Sequence, residues 1–181
     1  MKAIDKTRYL LMKASDYEMA FCASSNRVCE KPFIKEFFTI ISRLGDGVFW
    51  YLIMLGIPAV QGLSALHISL HMFAASSIAY LLYKVIKSNT KRPRPFAQNQ
   101  QIDLGGRVLD KYSFPSGHTL HAVNFTIILL FYFPQLTVIL VPFTTLVALS
   151  RIVLGLHYPT DVICGIILGA LVACLSLVTI Y

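Results

Sequence analysis

Five apolar runs of helical length dominate this chain: Val48 to Val60, Leu63 to Ile86, His118 to Phe133, Leu136 to Leu154 and Val162 to Ile180. A run of about twenty apolar residues matches the hydrocarbon thickness of a bilayer, and a helix satisfies its own backbone there. The first run is short and borrows residues from either side. Hydrophobic residues make up 56% of the chain and charged ones 14%, with a mean hydropathy of +0.64, which excludes an ordinary soluble domain of this size. The expected fold is all-α: an integral membrane helical bundle of five to six transmembrane helices, forming a single domain over residues 1–181. Pro58 and Pro142 are tolerable within such helices, and Gly165-Ile-Ile-Leu-Gly169 is expected to serve internal packing rather than a dimer seam.

Residues 1–46 differ. Between residues 9 and 23, Leu10, Met12, Tyr17 and Phe21 alternate with Lys13, Asp16 and Glu18, so a full crossing would bury three charges. An interfacial amphipathic helix is expected there, a second over Phe33 to Leu44, and a turn at Gly45-Asp46-Gly47 leading into the first span. No basic stretch followed by a short apolar core and a small-residue cleavage site is present, so no cleaved signal peptide is expected. Residues 87–117 form the one long loop, with six basic and two acidic residues, expected to act as a mouth over a site. Lys91, Arg107 and Lys111 are expected to be solvated.

Three short patterns sit at the ends of these greasy segments: Lys87-(six residues)-Arg94-Pro95, Pro115-Ser116-Gly117-His118, and Ser150-Arg151-(five residues)-His157-(three residues)-Asp161. Polar groups there demand a reason, because unpaired they cost several kcal/mol. Phosphoryl transfer supplies one. A phosphate monoester needs cations, preferably arginine forks, and Lys87, Arg94 and Arg151 provide them. A nucleophile must attack phosphorus and a second group must protonate the departing oxygen, roles that His118 and His157 can divide. Asp161 lies one helical turn after His157, where its carboxylate can hold one ring nitrogen and fix the tautomer. Ser116 and Gly117 precede a helix expected from about Thr119, so their N–H groups form an anion site. No carboxylate cluster suited to a metal is visible, and neither a metal nor any other cofactor is expected.

Taken in this order, the three patterns resemble the signature of the type 2 phosphatidic acid phosphatase superfamily, in its membrane lipid phosphatase branch, over about Lys84 to Tyr181. The resemblance implies that His157 forms a phosphohistidine, Asp161 orients it and His118 protonates the leaving group. It also implies that Lys87, Arg94, Ser116, Gly117 and Arg151 bind the phosphoryl oxygens without a metal. The implied activity is hydrolysis of a terminal phosphate from a lipid phosphate or diphosphate. Undecaprenyl diphosphate, phosphatidylglycerophosphate, phosphatidic acid and the lipid A 1-phosphate group are all candidate substrates. Passing the phosphoryl group to a second lipid would keep every signature residue and stays open, whereas a non-catalytic membrane protein would need no such set. The expected partners are this lipid substrate and the surrounding membrane lipids, with no nucleic acid.

All 16 basic and 9 acidic residues fall within 1–46, 84–111 and 151–161, which places them on one membrane face; the opposite turns, near Gln61-Gly62 and Phe133-Pro134-Gln135, carry no charge. Counted plainly, the positive-inside rule puts this face in the cytoplasm. Resemblance to bacterial lipid phosphatases implies the reverse: a multi-pass protein of the bacterial inner membrane with its site toward the periplasm or cell exterior. Among the remaining residues, His67 and His71 are expected to pack or hydrogen-bond, His121 to support His118 or touch substrate, and Phe49-Trp50-Tyr51 to anchor at the interface. Cys22 and Cys29 could pair or stay free, while Cys164 and Cys174 are packing residues.

Overall fold

Proline and glycine set the helix boundaries. Pro32, Pro95 and Pro159 each stand in the first turn of a helix, where a missing N–H removes no helical bond. Gly47 (φ 111) and Gly62 (φ 85) bound a third helix in conformations that a side chain would strain. The computed structural model describes residues 2–180, and the elements are α1 (Lys2–Asn26), α2 (Pro32–Leu44), α3 (Val48–Gln61), α4 (Leu66–Thr90), α5 (Pro95–Gln98), α6 (Gly117–Tyr132), α7 (Thr137–Val153) and α8 (Pro159–Ile180). Short 3₁₀ turns join several of them.

The architecture is an all-helical membrane bundle. Leu63–Gln98, which contains α4, together with Pro134–Val153 and Pro159–Ile180, are each long and apolar enough to cross a bilayer. Helices α2 and α3 pass that test only together, bent by 48° across the Gly45–Gly47 turn. Helix α6, with 16 residues, is shorter than a full crossing and sits inside the bundle against α4, α7 and α8. Large apolar side chains such as Leu55, Phe73, Leu81, Val138, Leu175 and Val178 are exposed on the outer faces, as lipid contact requires. Helix α1 is continuous from residue 2 to 26 and lies over the catalytic-side loops: Asn26 Nδ2 donates to the carbonyls of Val153 (2.9 Å) and Asp103 (3.0 Å).

Two expectations need correction. The loop does not begin at 87, because α4 keeps its helical hydrogen bonds through Thr90 and so carries Lys87 in its last turn; α5 then interrupts the loop. A helix end is a firmer mount for a cation than a loop. Trp50 is no interface anchor either. It is fully buried, stacked 5.0 Å from Phe125 and packed against Phe49 and Phe143, because α3 turns this face inward toward α6 and leaves Tyr51 outside. The hydrogen-bonding role expected of His71 is present, to Tyr132 (3.0 Å) and Ser176 (2.9 Å); of the two states left open for Cys22 and Cys29, the structure has free thiols, buried at separate places.

The α6·α8 crossing is the most extensive helix contact. A Cβ on Gly165 would lie 2.7 Å from the Ser116 carbonyl oxygen, and one on Gly169 would lie 2.4 Å from that of Leu120. Lipid tails are as apolar as leucine, so burial alone does little to join helices in a bilayer, and backbone approach permitted by small residues matters more. Gly169→Val should therefore cost about 1–3 kcal/mol through overpacking. The thermal unfolding midpoint of the purified protein in detergent should fall while its oligomeric mass is unchanged. An altered mass with an unchanged midpoint would place these glycines on a dimer seam instead.

Candidate active site

The loop from Leu154 to Tyr158 connects α7 to α8 and carries His157, fully buried. One helical turn on, in α8, Asp161 is buried beside it: Oδ2 lies 3.5 Å from His157 Nδ1 and accepts the Tyr158 N–H at 2.9 Å. At 3.5 Å the imidazole contact falls outside hydrogen-bond geometry, and Nδ1 has no other partner among the described residues. On the other side of the ring, Arg94 Nη1 stands 3.3 Å from Nε2. Guanidinium can only donate, so Nε2 must present its lone pair and Nδ1 must hold the proton facing Asp161. Burial first, and then the charges of Arg151, Arg94 and Lys87, push the His157 pKa well below its ordinary value, which keeps the ring neutral.

Three cations converge on the same cavity of about 860 Å³. Arg94 is fixed by its remaining donors, Nη1 to the Leu156 carbonyl (2.8 Å), Nε to the Asp110 carbonyl (3.1 Å) and Nη2 to Asp110 Oδ1 (2.7 Å). Lys87 Nζ reaches the same carboxylate at 2.8 Å and the Tyr83 hydroxyl at 3.1 Å. Burial would raise the Asp110 pKa, but the hydrogen bonds from Lys87 and Tyr83 and the nearby positive charges outweigh it and bring it down to about 2. Arg151, in the last turn of α7, donates through Nη1 to Ser42 of α2, while its buried Nε has no partner.

His118 lines the cavity from the first turn of α6, and its Nε2 pairs with the carboxylate of Asp46. Ser116 caps that helix, fully buried. Its N–H is taken by the Asp161 carbonyl (3.0 Å) and its hydroxyl bonds Thr119 (2.9 Å), so it braces α6 against α8. Gly117 packs under Tyr83, where a Cβ would lie 2.9 Å from the ring. Of the residues expected from sequence, Lys87, Arg94, Gly117, His118, Arg151 and His157 all line one cavity, whereas Ser116 and Asp161 stand behind its wall. Asp46, Ser42, Tyr83 and Asp110 belong to the same cluster and were not singled out by motif. Their only sequence signal is that both carboxylates sit on the charged face. His121 also lines the cavity, stacked 6.1 Å from Phe125. Among the described residues, no group of three or more His, Cys, Asp and Glu side chains is placed to hold a metal.

The structure is thus a helical membrane bundle with a buried histidine, a cation cluster and a second, carboxylate-paired histidine around one cavity. Residues 69–181 match the family model of the PAP2 superfamily, and the chain belongs to that superfamily. It is 36% identical over 94 residues to the decaprenylphosphoryl-5-phosphoribose phosphatase of Mycolicibacterium smegmatis, covering 51% of this chain and 49% of that protein. It is 38% identical over 101 residues to the undecaprenyl-diphosphatase of Sulfolobus acidocaldarius, covering 55% and 48% respectively. The chain thus spans about half the length of these curated relatives. Its fold is similar to the crystal structure of a transmembrane PAP2 type phosphatidylglycerolphosphate phosphatase from Bacillus subtilis, with a TM-score of 0.75, 26% identity, and 91% of this chain and 84% of that one covered. Aquifex aeolicus LpxE shares the fold at a TM-score of 0.76 and 24% identity, with 86% of this chain and 92% of that one covered.

An oxyanion cradle built on arginine forks depends on geometry as well as charge. Arg151→Lys should weaken orthovanadate binding to the purified protein by roughly tenfold, about 1.4 kcal/mol, as measured by calorimetry in detergent. Unchanged vanadate affinity would remove Arg151 from the cradle.

Proposed function

We propose that this chain is a membrane lipid phosphatase that removes a terminal phosphate from a lipid phosphate or diphosphate through a phosphohistidine on His157. The observation that carries this reading is the arrangement of the His157 ring, with Nδ1 toward Asp161 and Nε2 facing a cation cluster in a cavity. An incoming phosphoryl group takes up the donors of Arg94, Lys87 and Arg151 and draws Arg94 Nη1 off Nε2. The Nε2 lone pair then attacks phosphorus, the bond from phosphorus to the lipid oxygen breaks, and that oxygen takes a proton from His118. Asp46, beside His118 Nε2, stabilises the protonated ring that this step needs. Water next attacks the phosphohistidine with His118 as base, which breaks the phosphorus to nitrogen bond and releases phosphate. Gly117 shapes the lip of α6 under the phosphoryl group, Ser116 braces that helix from behind the wall, and the cations neutralise the group's charge without a metal.

The cavity favours an amphiphile. Its polar end holds the cations, while Trp50 and Tyr51 of α3 and Phe73, Tyr80 and Leu81 of α4 continue its wall toward the lipid-facing surface. A headgroup at the cations can keep its tail in the leaflet. Undecaprenyl diphosphate, phosphatidylglycerophosphate, phosphatidic acid and the lipid A 1-phosphate group are the candidate substrates, and the likeness to a decaprenylphosphoryl-5-phosphoribose phosphatase and an undecaprenyl-diphosphatase favours the polyprenyl one, undecaprenyl diphosphate.

Phosphate release measured across that lipid panel in detergent is the direct test. His157→Ala should abolish release, and excess chelator should leave the wild-type rate intact. Release by His157→Ala at the wild-type rate would end the phosphohistidine reading, and loss of activity in chelator that a divalent ion restores would end the metal-free one.

We further propose that the protein lies in a bacterial inner membrane with the site on the outer side. Lys87, Arg94 and Arg151 serve the site and drop out of the positive-inside count, which the remaining basic residues still tip toward the cytoplasm; the outward assignment rests instead on the resemblance to bacterial lipid phosphatases. With the native cysteines replaced, a membrane-impermeant thiol reagent applied to intact cells should modify a cysteine at Gln100 and spare one at Gln135. The reverse pattern would turn the site to the cytoplasm.

A further inference from the structure

We propose that Arg92, held by Glu18 of α1, is a positioning residue for the Asp161 and His157 pair, so that the N-terminal helix sets how strongly the carboxylate engages the nucleophile. This rests on the phosphohistidine reading for its catalytic meaning but not for its geometry.

Arg92 lies between two residues of the phosphate cradle, yet neither it nor Glu18 lines the cavity. Its fork divides in two directions. Nη1 donates to Asp161 Oδ1 at 2.7 Å and to Thr160 Oγ1 at 2.8 Å, and Nη2 donates to Glu18 Oε2 at 2.7 Å. The other Glu18 oxygen accepts the Thr160 N–H at 2.9 Å, and the guanidinium sits 3.8 Å from the centre of the Tyr158 ring. Arg92 and the Thr160 N–H, and through Arg92 the Asp161 carboxylate, are therefore tied to one helix that precedes the matched family segment. A solvated loop arginine would show none of this.

The Asp161 carboxylate is wholly buried beside the Ser113 side chain and faces three nitrogens: Arg92 at 2.7 Å, the Tyr158 N–H at 2.9 Å and His157 Nδ1 at 3.5 Å. The imidazole is the most loosely held of them. A buried carboxylate needs a counter-cation, so Arg92 withholds part of the Asp161 charge from the ring, and without Arg92 the group left to balance it is an imidazolium on His157. Glu18 in turn offsets Arg92. The other charged or titratable groups facing His157 are Lys87 of α4, Arg94 and Asp110 of the loop, His118 of α6 with Asp46 behind it, Arg151 of α7, and Cys22 of α1, whose thiol points at the His157 carbonyl. These are the same in each variant below, so a shift reports the Glu18–Arg92 pair.

The signs are opposite for the two partners. Arg92→Ala removes a cation and lets Asp161 bind Nδ1–H more tightly, so the imidazolium is stabilised and the acid limb of kcat/KM should move up by about one pH unit. Glu18→Gln leaves Arg92 less neutralised, so the limb should move down. KM should not change, because neither residue touches substrate. The independent readout is NMR of the full-length, histidine-labelled protein in detergent at neutral pH, with the His157 signal assigned by its loss in His157→Gln. The Nδ1 proton should move downfield in Arg92→Ala and upfield in Glu18→Gln. Asn26→Ala cuts a different tie of the same helix and should lower the thermal midpoint while leaving the Nδ1 proton in place. Should Arg92→Ala fail to fold, Arg92→Lys keeps the charge but loses the fork, and it should displace the Nδ1 proton in the same direction by less. An unmoved proton, or movement in one direction in both charge variants, overturns the proposal. Proton shifts of the expected sign in an enzyme that forms no phosphohistidine uphold the positioning role and overturn the nucleophile assignment.

Discussion

The close approach of α6 and α8 is the constraint on which the rest of the site depends. Gly165 and Gly169 let the backbone of one helix come within side-chain-excluding distance of the other, and the Ser116 N–H then bonds the Asp161 carbonyl. That bond joins the start of α6, which carries His118, to the start of α8, which carries Asp161 and follows His157. Helix packing thus fixes the start of α6 against the start of α8, and the short Leu154–Tyr158 loop hangs His157 from that junction. In a bilayer such packing has to come from fit, because the lipid offers apolar surface as good as the protein's own.

Charge burial is managed by pairing. Asp110 faces Lys87 and Arg94, Asp46 faces His118 beside Arg151, and Asp161 faces Arg92 beside His157. Each carboxylate holds a cation or imidazole in place and limits its mobility, and burying either partner alone would cost several kcal/mol. The pairing also distributes roles. Positive charge left over on the cavity side suits an anion, and His157, pushed toward its neutral form by burial and surrounding cations, keeps a lone pair where a cationic ring would have none.

The residues of the motif were legible in sequence because their chemistry is local. Lys87 and Arg94 are spaced to flank the end of α4, Gly117 and His118 open α6, and His157 and Asp161 are one turn apart. Local spacing predicts local geometry for His157 and Asp161, which meet across one turn, whereas Lys87 lies inside α4 and α6 already begins at Gly117. The same logic misjudged Trp50. Its position near a span end suggested an interface, but the bend between α2 and α3 rotates it into the core against Phe125. It also shortened α4, because a run of polar residues after Ile86 reads as loop while the backbone keeps its helical bonds as far as Thr90.

Hydrophobic run length and motif order by themselves determined that this chain is a helical membrane protein of the PAP2 superfamily, since both follow from residue type along one dimension. The partners that surround that site come from far away in the chain: Asp46 lies 72 residues from His118, Ser42 lies 109 from Arg151, and Glu18 lies 74 from Arg92. No spacing rule links such pairs. Only the tertiary structure decided which carboxylate meets which cation, because a short-range contact between distant segments exists only once the helices have packed.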